Sequence, residues 1–234
     1  MISERKFSST FSSFWGQLLP MSNPFVRRLN LACERQVPPT ISKMPVDREK
    51  RSVINELAFR LFKEKVVKNK VVSATRLKEL SSEVIKYIEK LSYNIPEISP
   101  LNSDEIDEAV EIGNALPSFF RKKDLPKVCF WPSFKGCGNI QTCQGDIILN
   151  DKLVEVKAGD RHFGINDIRQ ILTYLALNFS SQQYELNNIQ LINPRTGLSF
   201  EAPIRTIVEE CSGRLPTDVF LDIIEFISNE VGSN

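Results

Sequence analysis

Apolar residues recur at helical spacing in two stretches of the chain before residue 95. In the first stretch, which begins at Asp47, the positions that share one helix face are Val53, Ile54, Leu57, Ala58, Leu61 and Phe62. In the second, which follows the N-cap candidate Ser73, they are Leu77, Leu80, Val84, Ile85, Ile88 and Leu91. This spacing predicts two amphipathic helices. They are joined by the short segment NKVVSAT. The pair forms either a packing hairpin, which we favour, or a helix-turn-helix motif that binds DNA.

A different pattern begins after the proline-containing segment YNIPEISPLN. Ser103, followed by acidic residues, predicts the N-cap of a third helix that ends near Phe120. Segments rich in β-branched and aromatic residues then predict strands, namely VCFWPSF, GDIIL, KLVEVKA and IQLIN. Helical spacing returns in NDIRQILTYLALNF, between the last two strands, and in TDVFLDIIEFISNEV near the C-terminus. This order predicts a mixed α/β (α+β) fold.

Three regions follow from these patterns. Residues 1–46 contain scattered Pro and Ser with little periodicity, and we expect a partly irregular N-terminal arm. Residues 47–95 form a basic helical region. Residues 96–234 contain all the predicted strands and form the α/β domain, with the proline-containing segment as the boundary.

The net charge of +1 hides an asymmetry between the two halves of the chain. Residues 1–94 contain 18 Lys and Arg against 9 Asp and Glu, a balance of +9, and the remainder carries −8. A basic half beside an acidic half indicates either a nucleic-acid surface joined to a metal site, or two halves that attract each other.

The sequence also indicates the cellular compartment in which the protein is found. No apolar run reaches the ~18–20 residues of a membrane span, and the N-terminus lacks the long apolar centre of a secretion signal. The five cysteines are an odd number, which argues against a disulfide framework. We therefore expect a cytoplasmic protein without a membrane segment.

Three charged residues lie on the predicted hairpin formed by GDIIL and KLVEVKA. Glu155 and Lys157 point to one face of their strand because side chains alternate along a strand, and Asp146 lies across from that face if the hairpin turns at Asn150 and Asp151. Two carboxylates suit Mg²⁺, and the backbone carbonyl of Val156 offers a further oxygen. The alternative is a surface ion pair on an edge strand.

These residues, in this order, resemble the PD-(D/E)xK nuclease superfamily. The family's Asp, Glu and Lys correspond to Asp146, Glu155 and Lys157, and the next helix carries Gln170 and Tyr174, which are similar to the Gln-x-x-x-Tyr motif of RecB-like members. The resemblance covers roughly residues 103–200, and Gly145 stands where the superfamily motif has Pro.

The resemblance implies a restriction-endonuclease-like mixed sheet flanked by helices and a Mg²⁺- or Mn²⁺-dependent nuclease acting on DNA. Gln170 would support the Lys or a scissile phosphate, and Tyr174 would hold the site or contact nucleic acid. An upstream helical Glu would complete the metal site, and we assign it to Glu111 in preference to Glu108 or Glu56. A nuclease of this size is typical of restriction or anti-phage defence, gated by a partner such as an ATPase or regulator, and many such nucleases act as homodimers.

Three arginines near the motif are candidate phosphate ligands: Arg161, Arg169 and Arg195. The competing interpretation of Arg161 and Arg169 is a solvated surface charge. For Arg195, within the Asn-Pro-Arg-Thr-Gly segment, we favour a simple turn.

Other chemistries fit less well. His162 is the single histidine, which excludes nuclease and zinc-hydrolase sites that need several. No P-loop and no G-x-S-x-G motif is present. Cys129, Cys137 and Cys143 have poor zinc spacing, so we favour buried or loop cysteines over a zinc site that includes His162. Two alternatives to an enzyme remain: a catalytically silent nuclease-fold interaction module, and a helix-turn-helix DNA-binding protein.

Overall fold

The computed structural model describes residues 1–39, 48–68, 72–91 and 97–229. Within these ranges the α-helices are α1 (Glu4–Ser9), α2 (Ser12–Leu18), α3 (Ser22–Ala32), α4 (Arg48–Lys68), α5 (Ala74–Leu91), α6 (Ser103–Ala115), α7 (Ile165–Ser181), α8 (Ile204–Ser212) and α9 (Pro216–Asn229). The strands are β1 (Glu34–Arg35), β2 (Cys129–Phe130), β3 (Ser133–Phe134), β4 (Cys143–Gln144), β5 (Ile147–Leu149), β6 (Lys152–Val156), β7 (Asn188–Asn193) and β8 (Leu198–Pro203). Short 3-10 helices cover Leu116–Phe119 and Leu125–Lys127.

Six strands form one mixed sheet, in the order β1-β8-β7-β6-β5-β2. The central pair, β6 and β7, is parallel, and the other neighbours are antiparallel. Parallel neighbours need a crossover connection, and α7 provides it. β3 and β4 form a separate two-stranded ribbon. The predicted mixed α/β fold with a sheet flanked by helices is confirmed.

The two faces of the sheet contact different helices because side chains alternate along each strand. Leu153 of β6 belongs to the core that contains α7 and the N-terminal helices. Its neighbour Val154 points the other way and packs with Phe59 and Phe62 of α4. We call these the α7 face and the α4 face. This alternation places Glu155 and Lys157, like Leu153, towards the α7 face.

The basic helical region folds as the amphipathic pattern predicts. The predicted apolar face of α4 is buried throughout, and Leu80 and Val84 of α5 pack against it. Ser73 is confirmed as an N-cap residue, because its hydroxyl accepts a hydrogen bond from the amide of Arg76 at 3.2 Å. α6 joins the same hydrophobic cluster. The two helices therefore pack on each other and on α6, and α4 is the helix that contacts the sheet.

The prediction of a partly irregular arm at the N-terminus is wrong for residues 1–39. They form three helices whose aromatic residues enter the main core, and Phe7 and Trp15 are fully buried. β1 then pairs with β8 and becomes an edge strand of the sheet. The remaining arm residues, 40–46, lie outside the described residues.

Other differences are local. The N-cap of α6 is Asn102, not Ser103, because the Asn102 side chain and Glu105 form a reciprocal capping box. VCFWPSF divides between β2 and β3 at Trp131, which has a φ of +51°. β8 and α8 follow the predicted turn at 194–197 and were not predicted. No helix in the described ranges is long and apolar enough to cross a membrane.

Candidate functional site

The β5–β6 hairpin has the register that the sequence predicts. Ile147 pairs with Val154 and Leu149 with Lys152, and the turn passes through Asn150 with a φ of +56°. One step further along this register, Asp146 stands opposite Glu155, so that both side chains point to the α7 face. The Asp146 carboxylate accepts a hydrogen bond from the Val156 amide at 2.7 Å.

Glu155 is almost completely enclosed, with 2% of its surface exposed. One carboxylate oxygen, Oε1, accepts a hydrogen bond from the Lys157 ammonium at 2.8 Å. The other, Oε2, is buried and has no hydrogen-bond partner among the described residues. A buried carboxylate oxygen without a partner is costly, so this atom is a place where a bound cation would stabilise the fold.

Helix α7 supplies the second half of the site. Gln170 and Tyr174 are four residues apart and therefore lie on the same side of the helix. The Gln170 carbonyl accepts from Lys157 Nζ at 2.7 Å, and its amide donates to the Tyr174 hydroxyl at 2.9 Å. Gln170 thus links the lysine to Tyr174.

Tyr174 is only 1% exposed. Its hydroxyl lies 3.1 Å from the carbonyl oxygen of Gln144 and 3.3 Å from Glu4 Oε1. Burial, with the nearby carboxylates, raises the pKa of Tyr174, so the phenol stays neutral. The expectation that Tyr174 contacts nucleic acid is therefore wrong, and of the two roles considered only holding the site fits.

Asp167 is a site residue that the sequence did not indicate. It is 3% exposed, lies 3.7 Å from Lys157 Nζ and caps α7 through the Gly164 amide at 2.8 Å. Burial alone would raise the pKa of Asp167, but its hydrogen bonds from Arg161 and the charge of Lys157 lower it. The available signal was its position, three residues after Gly164, which suits a capping box.

The helical glutamate at the site is Glu4 of α1. It is 7% exposed, and its Oε1 lies 3.5 Å from Gln170 Nε2. Glu111, by contrast, is exposed on α6, on the other side of the sheet from Asp146. The assignment of Glu111 as a metal ligand is therefore wrong, because α6 packs on α4 and not on α7.

Arg195 cannot reach a phosphate, since only 2% of its side chain is exposed. It forms a buried ion pair with Glu108 and donates to the Ala158 carbonyl at 3.0 Å and to Asn55 Oδ1 at 3.0 Å. The prediction of Arg195 as a phosphate ligand is wrong. The residue ties α4 and α6 to the loop that follows Lys157.

The other two arginines are engaged within the protein. Arg161 makes two hydrogen bonds to Asp167, at 2.7 and 2.8 Å, while 59% of its side chain stays exposed. Arg169 lies over the Trp15 ring, with its guanidinium carbon 5.7 Å from the ring centroid, and burial lowers the pKa of Arg169. Arg161 therefore retains a surface that a phosphate could contact, and Arg169 packs against the N-terminal helices.

The electrostatics of the site depend on the closeness of its carboxylates. Burial, followed by the charge of Glu155, raises the pKa of Asp146 to about 7, although Lys157, the Val156 amide and Arg5 oppose the change. Burial alone would lower the pKa of Lys157, but Glu155, Asp167 and Asp146 raise it above its ordinary value. The lysine is therefore a lasting positive charge between acidic groups.

The site offers a cation two carboxylates, Asp146 and Glu155, beside the backbone of Val156. Across the described ranges no group of three or more His, Cys, Asp or Glu residues is close enough to hold a metal. A cation here would keep several waters, as Mg²⁺ commonly does. The unpartnered Glu155 oxygen fits such an ion.

The cysteines are free thiols in different surroundings: Cys129 is exposed, Cys137 is half-buried and Cys143 is buried. Burial, with the charges of Glu4 and Glu155, raises the pKa of Cys143 to about 12, so this thiol stays protonated. A protonated thiol is a poor metal ligand.

No protein-family model matches the chain, and no curated protein matches it either. The functional conclusion therefore depends on the geometry and electrostatics of the site.

Proposed function

We propose that the protein is a Mg²⁺- or Mn²⁺-dependent nuclease that hydrolyses phosphodiester bonds of DNA. The observation that carries the proposal is the buried oxygen of Glu155 without a hydrogen-bond partner in the described residues. It lies beside a lysine that is hydrogen-bonded to the same carboxylate, and across the hairpin from Asp146. A surface ion pair on an edge strand would be solvated, whereas Glu155 is buried in a central strand.

Asp146, Glu155 and the Val156 carbonyl would hold the cation. When bound, it would lower the pKa of a water ligand and offset the charge that develops on the phosphate. Asp146 must lose its proton to bind a cation, and the nearby positive charge would favour that loss.

Lys157 contributes a fixed positive charge. Because its pKa is raised, it is protonated at neutral pH and acts as a hydrogen-bond donor to the phosphate or the attacking water, not as a base. Gln170 and Asp167 keep the ammonium in place, and Tyr174 and Glu4 hold Gln170. These are positioning residues, since they act through the lysine.

The test is cleavage of supercoiled plasmid in EDTA, Mg²⁺ or Mn²⁺ by the wild type and by Asp146→Asn and Lys157→Met. We expect nicking that needs the cation and falls by at least ~100-fold in both variants. Lys152→Met is the matched control, because Lys152 begins β6, the strand of Glu155, but pairs with Glu201 at 2.5 Å. Cleavage that survives both site substitutions, or no cleavage with either cation, would contradict the proposal.

The helix-turn-helix alternative is not favoured, because the apolar faces of α4 and α5 pack on each other and on α6. The silent-module alternative predicts intact folding and DNA retention in all variants, without cation-dependent cleavage by the wild type.

A further inference from the structure

A second charged feature lies on the α4 face, away from Asp146 and Glu155. A cavity of about 240 Å³ opens between α4, α5 and the ring of Trp131. Four cations line it, Arg60, Lys63, Lys68 and Arg76, together with Glu64 and Glu83. We call it the Trp131 groove.

The cations of the Trp131 groove differ in their partners. Arg76 bonds to Glu64 and Glu83 at 3.1 and 2.8 Å, and Lys68 pairs with Glu64 at 2.5 Å. Lys63 instead has its ammonium 4.0 Å from the centre of the Trp131 ring. In the part of the chain that the structure describes, no carboxylate lies within ion-pair distance of Lys63. The groove therefore joins one uncompensated cation to an aromatic face.

Arg60, which is paired with Glu56 at 2.8 Å, extends the row of cations and rings along the surface. Its guanidinium carbon lies 4.9 Å from the centre of the Tyr87 ring and 6.0 Å from that of Trp131. Tyr87 is 40% exposed. Basic side chains that alternate with accessible aromatic rings are typical of surfaces that bind single-stranded nucleic acid, since bases stack on the rings and phosphates meet the cations.

The groove is connected to the carboxylate site through the backbone. Trp131 follows β2, the edge strand, and its amide donates to the carbonyl oxygen of Asp146 at 2.9 Å. Its φ of +51° is unusual for a bulky residue and costs about 1–3 kcal/mol. Packing against Phe59 and Lys63 opposes that cost. A polynucleotide that crosses the β2 edge from Asp146 thus meets Trp131 first.

We propose that the Trp131 groove is a binding subsite for a single-stranded polynucleotide, with a base on the Trp131 ring and a phosphate on Lys63. The proposal rests on the nuclease function proposed above. It places the unpaired strand next to the reaction centre.

The test uses the full-length protein in EDTA with fluorescein-labelled (dT)12. Anisotropy gives the affinity, and tryptophan emission shows whether Trp131 is contacted. We expect (dT)12 to quench the tryptophan emission of the wild type. This quenching should be lost in Trp131→Phe, which keeps the buried Trp15. Lys63→Met keeps the side-chain stem, and we expect ~10-fold weaker binding and a salt slope smaller by about 0.7.

Arg205→Met is the control, since Arg205 is exposed on α8 and pairs with Glu209 of the same helix. The subsite would be overturned if Lys63→Met bound (dT)12 as tightly as the wild type and the tryptophan quench persisted in Trp131→Phe. Plasmid cleavage could still support the nuclease in that case. Absence of (dT)12 binding would also overturn it, whatever the plasmid assay shows. Quenching by hepta-glutamate but not by (dT)12 would overturn it in favour of an acidic peptide partner.

Discussion

Asp146→Asn removes a carboxylate that the fold makes costly, and the variant should therefore be more stable than the wild type when no metal is present. Burial and the neighbouring Glu155 raise the pKa of Asp146 from 3.8 to about 7. The hydrogen bond from the Val156 amide can be kept, because the Asn side chain also offers an oxygen acceptor. The substitution thus removes the charge without removing the contact.

The magnitude follows from proton linkage. Between pH 3.8 and about 7 the folded carboxyl holds a proton that the unfolded chain has lost, so the free energy of unfolding decreases as pH rises through this window. Above about pH 7 the carboxyl is ionised in both the folded and the unfolded state, and the folded state is destabilised by the full cost of burying this charge. The pKa difference puts that cost at ~4 kcal/mol. The side chain is half-buried, and solvent screening reduces this to ~2 kcal/mol.

The assay is thermal unfolding of both proteins in EDTA at pH 8 and pH 4.5. At pH 8 we expect Asp146→Asn to melt ~4–8 °C higher, and at pH 4.5 we expect the difference to nearly disappear. Added Mg²⁺ or Mn²⁺ should stabilise the wild type but not the variant. Glu185→Gln, at an exposed position, controls for charge removal. A variant less stable than the wild type at pH 8, or a difference independent of pH, would refute the reasoning.

Two further predictions test the fold around the site. Gly197→Ala should cost more than ~2 kcal/mol of unfolding free energy by urea denaturation, because a Cβ there would lie 1.9 Å from the Val37 carbonyl oxygen at a φ of +74°. Gly213→Ala, with a φ of +71° and open space, should cost only ~1 kcal/mol, and equal losses would contradict the steric argument. Arg195→Met should cost ~3–5 kcal/mol because it breaks the buried ion pair with Glu108, and a double variant with Glu108→Leu should recover part of this loss. No recovery would contradict the ion-pair explanation.

Local pattern was enough to predict the centre of the site. The hairpin register depends on alternation and on a two-residue turn, so the convergence of Asp146 and Glu155 could be predicted from ten consecutive residues. The four-residue spacing of Gln170 and Tyr174 likewise fixes their common side on one helix. The Lys157–Gln170 contact, at 2.7 Å, connects these two local units.

The rest depends on contacts between distant parts of the chain. Glu4 meets Tyr174 across 170 positions, and nothing in the spacing near either residue indicates the other. The short N-terminal helices owe their stability to buried Phe7 and Trp15 and not to a long helical period. From the sequence pattern, Arg195 is predicted as an exposed turn residue. It is buried because α6 places Glu108 against it.

The central claim is that Asp146 and Glu155 share a divalent cation, and calorimetric titration of Mn²⁺ into the metal-free protein at pH 8 tests it most directly. The wild type should bind one ion per chain at this site. Glu155→Gln keeps an acceptor for Lys157 but removes the carboxylate, so it should lose that binding, whereas Lys152→Met should retain it. Equal Mn²⁺ binding by Glu155→Gln and the wild type would contradict the account.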